Sequence, residues 1–388
     1  MSKVMKIYSN TCFMKNLTII PIFKQEIMNK FTILVTILMA ANLLFAQIIN
    51  IPADYPTIQQ GIDAAGDGDT VLVHPGTYEE GLSIFEKKIT LASLFLTTHD
   101  TSYISQTVIR GTWVFGCDNV RLCGLTYTAP NEGGGLWCDE TSGLMDHLII
   151  TGNSNYDFAG GVTIWNCSGD LRFTNVTFSN NTSEGEGGGV CCSSSSPVFE
   201  NCLFLNNNAW QGGAVFCYYG SSPVFRNVVF SGNNMESGGY GSVLFMNGYN
   251  SNADPCFPSL IDCTITGNHA YFDVFFAGGL IEGNNSSNAT VVNSISWYNN
   301  YDINHLHHST VSYSNVGGGQ AGTGNINEDP LFEGAGDHPY QITSGSPCID
   351  AGTPDTTGLN LPLTDLIGNF RIWDGDGDGI ERIDMGAY

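Results

Sequence analysis

Phe173-Thr174-Asn175-Val176-Thr177-Phe178 returns as Phe199-Glu200-Asn201-Cys202-Leu203-Phe204 and again as Phe225-Arg226-Asn227-Val228-Val229-Phe230. The asparagine recurs at 175, 201 and 227, two steps of 26 residues, and a fourth copy follows at Leu260-Ile261-Asp262-Cys263-Thr264-Ile265. Each copy runs into an Asn-rich turn: Asn180-Asn181, Asn206-Asn207-Asn208, Asn233-Asn234 and Gly267-Asn268. A second strand-like stretch then opens on paired glycines, as at Gly160-Gly161, Gly188-Gly189, Gly212-Gly213 and Gly278-Gly279. A fixed period with short alternating apolar stretches (Val176/Phe178, Cys202/Phe204, Val228/Phe230) describes a unit that cannot bury its stripe alone. Such units stack on one another at about 4.8 Å per rung. An antiparallel sandwich also has short strands and many turns, but it gives no reason for Asn, Phe and Gly-Gly to repeat in phase.

The expected fold is therefore all-β, a right-handed parallel β-helix. About nine coils between Val71 and Val316 would make a rod on the order of 40 Å. The recurring Asn side chains are expected to form a rung-to-rung amide ladder, and the glycines to permit corners where a Cβ would clash. Composition agrees: 47 glycines and only 13% charged residues suit frequent tight turns and disfavour a helical protein. Open solenoid ends need covers. Residues 56–65 carry apolar side chains at helical spacing and precede Gly66-Asp67-Gly68-Asp69, which predicts a short cap helix, a turn and a strand over Thr70–Val73. The organisation read from the chain is 1–46 leader, 47–70 N-terminal cap, 71–328 coils and 329–388 an irregular C-terminal cap.

Met28-Asn29-Lys30, the apolar run from Phe31 to Phe45 and then Ala46-Gln47 have the parts of a secretory signal peptide, preceded by an upstream extension. The run is short for a membrane span, although an N-terminal anchor is the competing reading. Without residues 1–46 the chain keeps 8 of its 13 basic and 36 of its 37 acidic residues, a formal charge of −28. That charge excludes nucleic acid and anionic lipid as partners and favours divalent cations. Eleven of the twelve cysteines remain, an odd number with no zinc-finger spacing, so mainly packed thiols with one or two disulfides are expected.

The entry segment, Ile51 to Gln59 and Thr70 to Tyr78, resembles the start of pectin-lyase-like β-helix proteins. The Gly-Gly and Phe-x-Asn coils resemble the repeats of polymorphic outer-membrane proteins. The tail, Asp329 to Phe332, Gly345 to Gly352 and Asp384 to Tyr388, resembles the closing segment of secreted repeat proteins with a choice-of-anchor ending. These resemblances imply fold and export rather than an activity. They place the protein outside the cell or on the outer face of an outer membrane. In the resembled proteins the tail continues past the position of Tyr388, where an anchor or sorting module would decide between the two.

Chemistry is sparse. Asp374-Gly-Asp376-Gly-Asp378-Gly379, with Glu381 and Asp384 beyond, gathers hard oxygen ligands on one loop and is expected to hold a structural Ca²⁺ through Asp374, Asp376, Asp378 and Asp384. The match to an EF-hand loop is partial, because Met385 stands where the twelfth-position Glu belongs. His305, His307 and His308 offer two imidazoles at i, i+2 but no third ligand. The interval from Asn227 to Asp262 is 35 residues and inserts a loop over 247–256, the kind of place where solenoids bind. Trp165, Trp210, Tyr218, Tyr219, Tyr240 and Tyr249 are aromatics there that could stack on sugar rings, or pack on one another along the stack. Arg172, Arg226, His147, Lys87 and Lys88 are the few groups a lyase could use, and Asp170, Glu200 and Asp262 the carboxylates a hydrolase could use. The expectation is a non-catalytic protein that binds extracellular polysaccharide or a cell-surface partner, as a glycan binder or adhesin. The alternative is a polysaccharide lyase or glycoside hydrolase acting on an acidic polysaccharide.

Overall fold

The computed structural model describes Met28, Lys30 and residues 46–388, apart from 130–132, 168–169, 249–253, 271, 274–275, 278–279, 285 and 301–305. The chain divides into two units, Met1–Gln47 and Ile48–Tyr388. The expected leader, the glycine pair at 278–279 and much of the 247–256 insertion lie outside the described residues. No helix among the described residues is long and apolar enough to cross a membrane.

In the second unit the central coils each contribute one strand to each of three parallel sheets, and the end coils contribute to fewer. The first sheet stacks eleven strands, from Ile48–Ile51 through Thr70–Val73 and Leu171–Thr174 to Ser309–Ser312. A second has ten strands and a third has eight, all paired in register with coils one turn away. This is a right-handed parallel β-helix, as the 26-residue period requires. It is longer than read from the sequence. A rung at Ile48–Ile51 precedes the cap helix, ten strands of the first sheet follow from Thr70, and the eleven together span about 48 Å. The cap helix, Ile58–Ala64, starts on Thr57, whose side chain accepts from Gln60 N. Glu80 accepts from the amides of Ile58 and Gln59, and Lys87 Nζ donates to the carbonyls of Ile62, Asp63 and Ala65, so each end of the helix dipole meets opposite charge.

Each recurring six-residue motif forms two strands, not one. Leu171–Thr174 and Thr177–Ser179 flank Asn175, which sits at φ 57°. Asn201, Asn227, Asp262 and Asn293 repeat that left-handed corner on later coils. Asn and Asp tolerate this backbone better than other side chains, which explains why they hold the corner. The amide ladder runs at the next corner instead. Asn153, Asn181, Asn207, Asn233 and Asn268 each donate Nδ2 to the Oδ1 of the next asparagine one coil on, ending at Asn299, at 2.8–3.0 Å. Asn207 shows why these side chains are buried without penalty: its Oδ1 also accepts from Asn181 N, and its Nδ2 donates to Phe178 O. The core beside the ladder is two aromatic stacks. Phe173, Phe199 and Phe225 lie 4.9 and 5.0 Å apart, Phe178, Phe204 and Phe230 lie 4.5 and 5.0 Å apart, and the stacks meet edge to face. Each ring is buried, worth about 2–3 kcal/mol apiece.

All eleven described cysteines are free and buried, and none of the expected disulfides forms. Cys192 and Cys217 are in-register neighbours, so their Cβ vectors run side by side instead of converging. The thiols instead donate to carbonyls of the preceding coil, as Cys202 does to Phe173 O.

The tail, residues 329–388, lies along the outer side of the coils as well as at their end. Arg226 Nε donates to Leu359 O, Asn227 Nδ2 to Thr364 O, and Ala387 N to Thr264 Oγ1. Leu366, Ile367, Ala387 and Tyr388 pack on Leu203 and Val229 of the second sheet.

Replacing Asn207 by Ala is expected to cost at least about 3 kcal/mol, because it strands buried donors on Asn181 and acceptors at Phe178 and Asn233. Chemical denaturation of the variant measures this. A loss below about 1 kcal/mol would mean that the ladder only fills space.

Candidate functional site

The aromatic candidates of the coils are largely used up by packing. Trp165 stacks on Trp137 of the preceding coil, ring centres 6.1 Å apart and planes 14° from parallel, with Phe158 edge-on to both. Tyr218 contacts Phe216 and Tyr219, the latter at 3.8 Å, and Tyr240 stacks on Phe245 at 5.3 Å. Trp210 points outward, 43% exposed. Tyr249 and His305 lie outside the described residues. His308 Nδ1 accepts from Gly283 N at 3.3 Å.

Tyr218 and Tyr240 border a second apolar layer made when a four-stranded sheet folds over the third sheet, covering Ala159, Cys191, Phe216 and Phe245. Glu186 belongs to that covering sheet, in register with Gln211 and then Tyr240. Its burial there pushes the carboxyl up to about 7.

Several basic groups of the coils are committed too. Arg121 pairs with Asp146 at 3.3 Å, and His147 Nδ1 lies 2.6 Å from the other Asp146 oxygen. Burial alone would raise Asp146, but His147, Asn175 and Arg121 outweigh it and hold the carboxyl below its ordinary range. Arg110 pairs with Glu79. Asp262 is fully buried, with Arg371 Nη2 3.3 Å away. Neither Asp262 oxygen accepts a well-aligned hydrogen bond, and burial pushes its carboxyl up against the opposing pull of Arg371.

The tail holds a half-open concavity, a cleft of about 520 Å³. Two short antiparallel pairings shape it. Thr364 bridges Phe370 around a turn held by Asp365, whose oxygens accept from Ile367 N, Asn369 N and Asn369 Nδ2. Ile372–Trp373 pairs with Arg382–Ile383. Between them Arg371 turns inward to Asp262 and donates to Gly386 O at 2.6 Å, while its neighbours Phe370 and Trp373 stand 70% and 64% exposed on the lining. Gln341, Thr343, Ser344, Asn369 and Asp384 supply polar groups to the same lining. Burial is the main reason why the Asp384 carboxyl is pushed up to about 6, and its Oδ1 accepts from Asp350 N. The four acidic residues singled out on the sequence separate. Asp374 and Asp376 come together with Asp350, Asp378 pairs with Arg382 at 3.0 Å, and Asp384 faces the cleft. Phe370, Trp373 and Asp350 were not singled out on the sequence. Two aromatics flanking an arginine, in Phe370-Arg371-Ile372-Trp373, were the available signal.

Residues 97–257 match the family model of the right handed beta helix region. Among solved structures the chain is similar to pectate lyase Pel9A, with 11% identity, a TM-score of 0.48 and coverage of 88% of this chain and 96% of that one. It is also similar to an alginate lyase from Paenibacillus sp. (14% identity, TM-score 0.41, covering 68% and 99%) and to a pectin methylesterase in complex with a hexasaccharide (12%, 0.41, 77% and 98%). No curated protein matches the chain.

The raised pKa of Glu186 makes stability depend on pH. Between its ordinary value near 4.3 and its folded value of about 7, the folded chain holds a proton that the unfolded chain has lost. The contribution is full below about pH 4.3 and is lost as pH rises through 7. It is on the order of 1–2 kcal/mol once partial exposure is allowed for. Glu186→Gln should narrow the stability difference between pH 4.5 and 7.5, read from urea midpoints; parallel profiles for both proteins would refute the assignment. Arg371→Met is expected to cost about 3–5 kcal/mol by leaving Asp262 buried without its partner, and Asp262→Asn in that background should recover part of it.

Proposed function

We propose that the protein acts outside the cell as a glycan-binding β-helix, holding a neutral sugar segment in the tail cleft without cleaving it. One observation carries this reading: Trp373 and Phe370 are exposed on the lining of a cleft otherwise furnished with amide, hydroxyl and carboxylate groups. An aromatic ring meets the C–H face of a pyranose, and planar polar side chains take its hydroxyls. The volume lies in the range of small-molecule sites. A chain of net charge −24 with Asp384 in the cleft disfavours uronates, which supports a neutral glycan as the ligand. The leader pattern over residues 28–46 supports export.

Two facts weigh against the lyase and hydrolase alternative. Six of the eight basic residues after position 46 are bound to structural partners: Lys87, Arg110, Arg121, Arg226, Arg371 and Arg382. In the cleft, Asp365 spends its oxygens on its own turn, which leaves Asp384 without the second free carboxylate a glycosidase needs. The adhesin reading draws support from the apolar surface of the same tail, where Leu363, Ile372 and Ile380 are 85%, 47% and 54% exposed near Trp373.

Affinity electrophoresis through neutral glucans, mannans and xylans, beside polyuronates, tests the proposal. Retardation by a neutral polymer is expected, with Trp373→Ala and Phe370→Ala each weakening it tenfold or more. Retention that ignores both substitutions, no retention by any neutral polymer, or release of reducing or unsaturated ends would overturn it.

A further inference from the structure

Three carboxylates from two separate stretches of the tail converge: one oxygen from each of Asp350, Asp374 and Asp376 lies within 4.8 Å of the others. Asp350 is buried, 7% exposed. Its Oδ2 accepts from Gly375 N and Asp376 N, both at 2.9 Å, while its Oδ1 is shut off from solvent and meets no donor. A buried carboxylate oxygen with nothing opposite it is costly. Among the described residues no side chain donates to it, although the Arg382 guanidinium acts on Asp350 and Asp376 through space. Segment 329–388 contains no lysine, and its two arginines bond Asp262 and Asp378.

We propose that Asp350, Asp374 and Asp376 hold a hard divalent cation of calcium size, with the buried Asp350 carboxylate as its inner ligand. Oxygens up to about 4.8 Å apart can share one ion at about 2.4 Å, a Ca²⁺ distance, whereas Mg²⁺ demands about 2.1 Å and a tighter set. Exposed Asp376 leaves the outer side open for water to complete the shell. The site differs from the run read on the sequence: Asp378 serves Arg382, Asp384 receives the Asp350 amide, and the third ligand lies 24 residues upstream. The ion would pin the 374–379 loop to the stretch around Cys348, which packs on Ile295 of the last coils. This assignment does not rest on the glycan reading.

Terbium binding to the full-length protein tests it, because Trp373 precedes Asp374 and can sensitise the lanthanide. Saturable luminescence displaced by calcium is expected, together with a rise of several degrees in the thermal midpoint on replacing EDTA with calcium. Asp350→Asn and Asp376→Asn should each weaken calcium tenfold or more, and Asp378→Asn less than threefold. Exposed Asp376 keeps the test open should the Asp350 variant fold poorly. No calcium-displaceable signal with no thermal shift would overturn the proposal, as would loss on Asp378→Asn with both other variants unaffected.

Discussion

Every strand inside the stack bonds to the coil before and the coil after, so the chain must close each turn in phase with its neighbours or lose the pairing. That constraint concentrates the difficulty at the corners, where backbone groups turn away from the sheets. Two solutions recur. A single left-handed residue bends the chain between the first and second sheets, at Asn175, Asn201, Asn227, Asp262 and Asn293. After the second sheet a buried amide side chain takes over the bonding that the backbone cannot complete, running from Asn153 to Asn299. The phenylalanine stacks follow from the same register, since in-phase coils place like rings about 4.8 Å apart.

The corners also explain where the tail goes. Left-handed residues turn their polar groups outward, and four contacts use them: Asn227 Nδ2 to Thr364 O, Thr353 N to Asn293 Oδ1, Gly386 N to Asn293 O, and Arg371 to Asp262. The irregular segment is held to the side of the solenoid by groups that the coils could not satisfy among themselves. The Asp262–Arg371 pair is the deepest of them. Its worth lies less in Coulomb attraction than in the penalty for leaving either charge alone.

The solenoid was legible because its period is carried by residue types with a physical reason to recur: Asn for the corner and ladder, Gly for the close approach, Phe for the stack. Gly161, for example, would place a Cβ 2.3 Å from Gly189 O, so the pair could be nothing larger. Which asparagine builds the ladder was not legible. Asn175 and Asn181 are equally periodic, and only the backbone fixes which side chain points inward. The fate of the aromatics was equally hidden, because the stacking partners of Trp165 and Tyr240, Trp137 and Phe245, stand outside the recurring Phe-x-Asn motif. Asp350 was invisible for a related reason. Nothing local in Ser346-Pro-Cys-Ile-Asp350 marks it, and its meaning comes from amides 25 and 26 residues away.

A repeat that pairs in register tends to consume its own side chains. Ring meets ring, amide meets amide, and charge finds charge one coil away, as Arg121 finds Asp146. What remains for a ligand is then sought where the period breaks. In this chain that place is the tail, whose irregular backbone leaves Trp373 and Phe370 without stacking partners among the described rings and keeps one carboxylate, Asp384, facing a cleft. Since the tail is short of regular hydrogen-bonded structure, its shape depends on a few contacts: the Arg371 anchor, the Asp365 turn and the meeting of Asp350 with the 374–379 loop. The solenoid supplies a stiff rod, and the segment that departs from its repeat supplies the surface on which recognition can act.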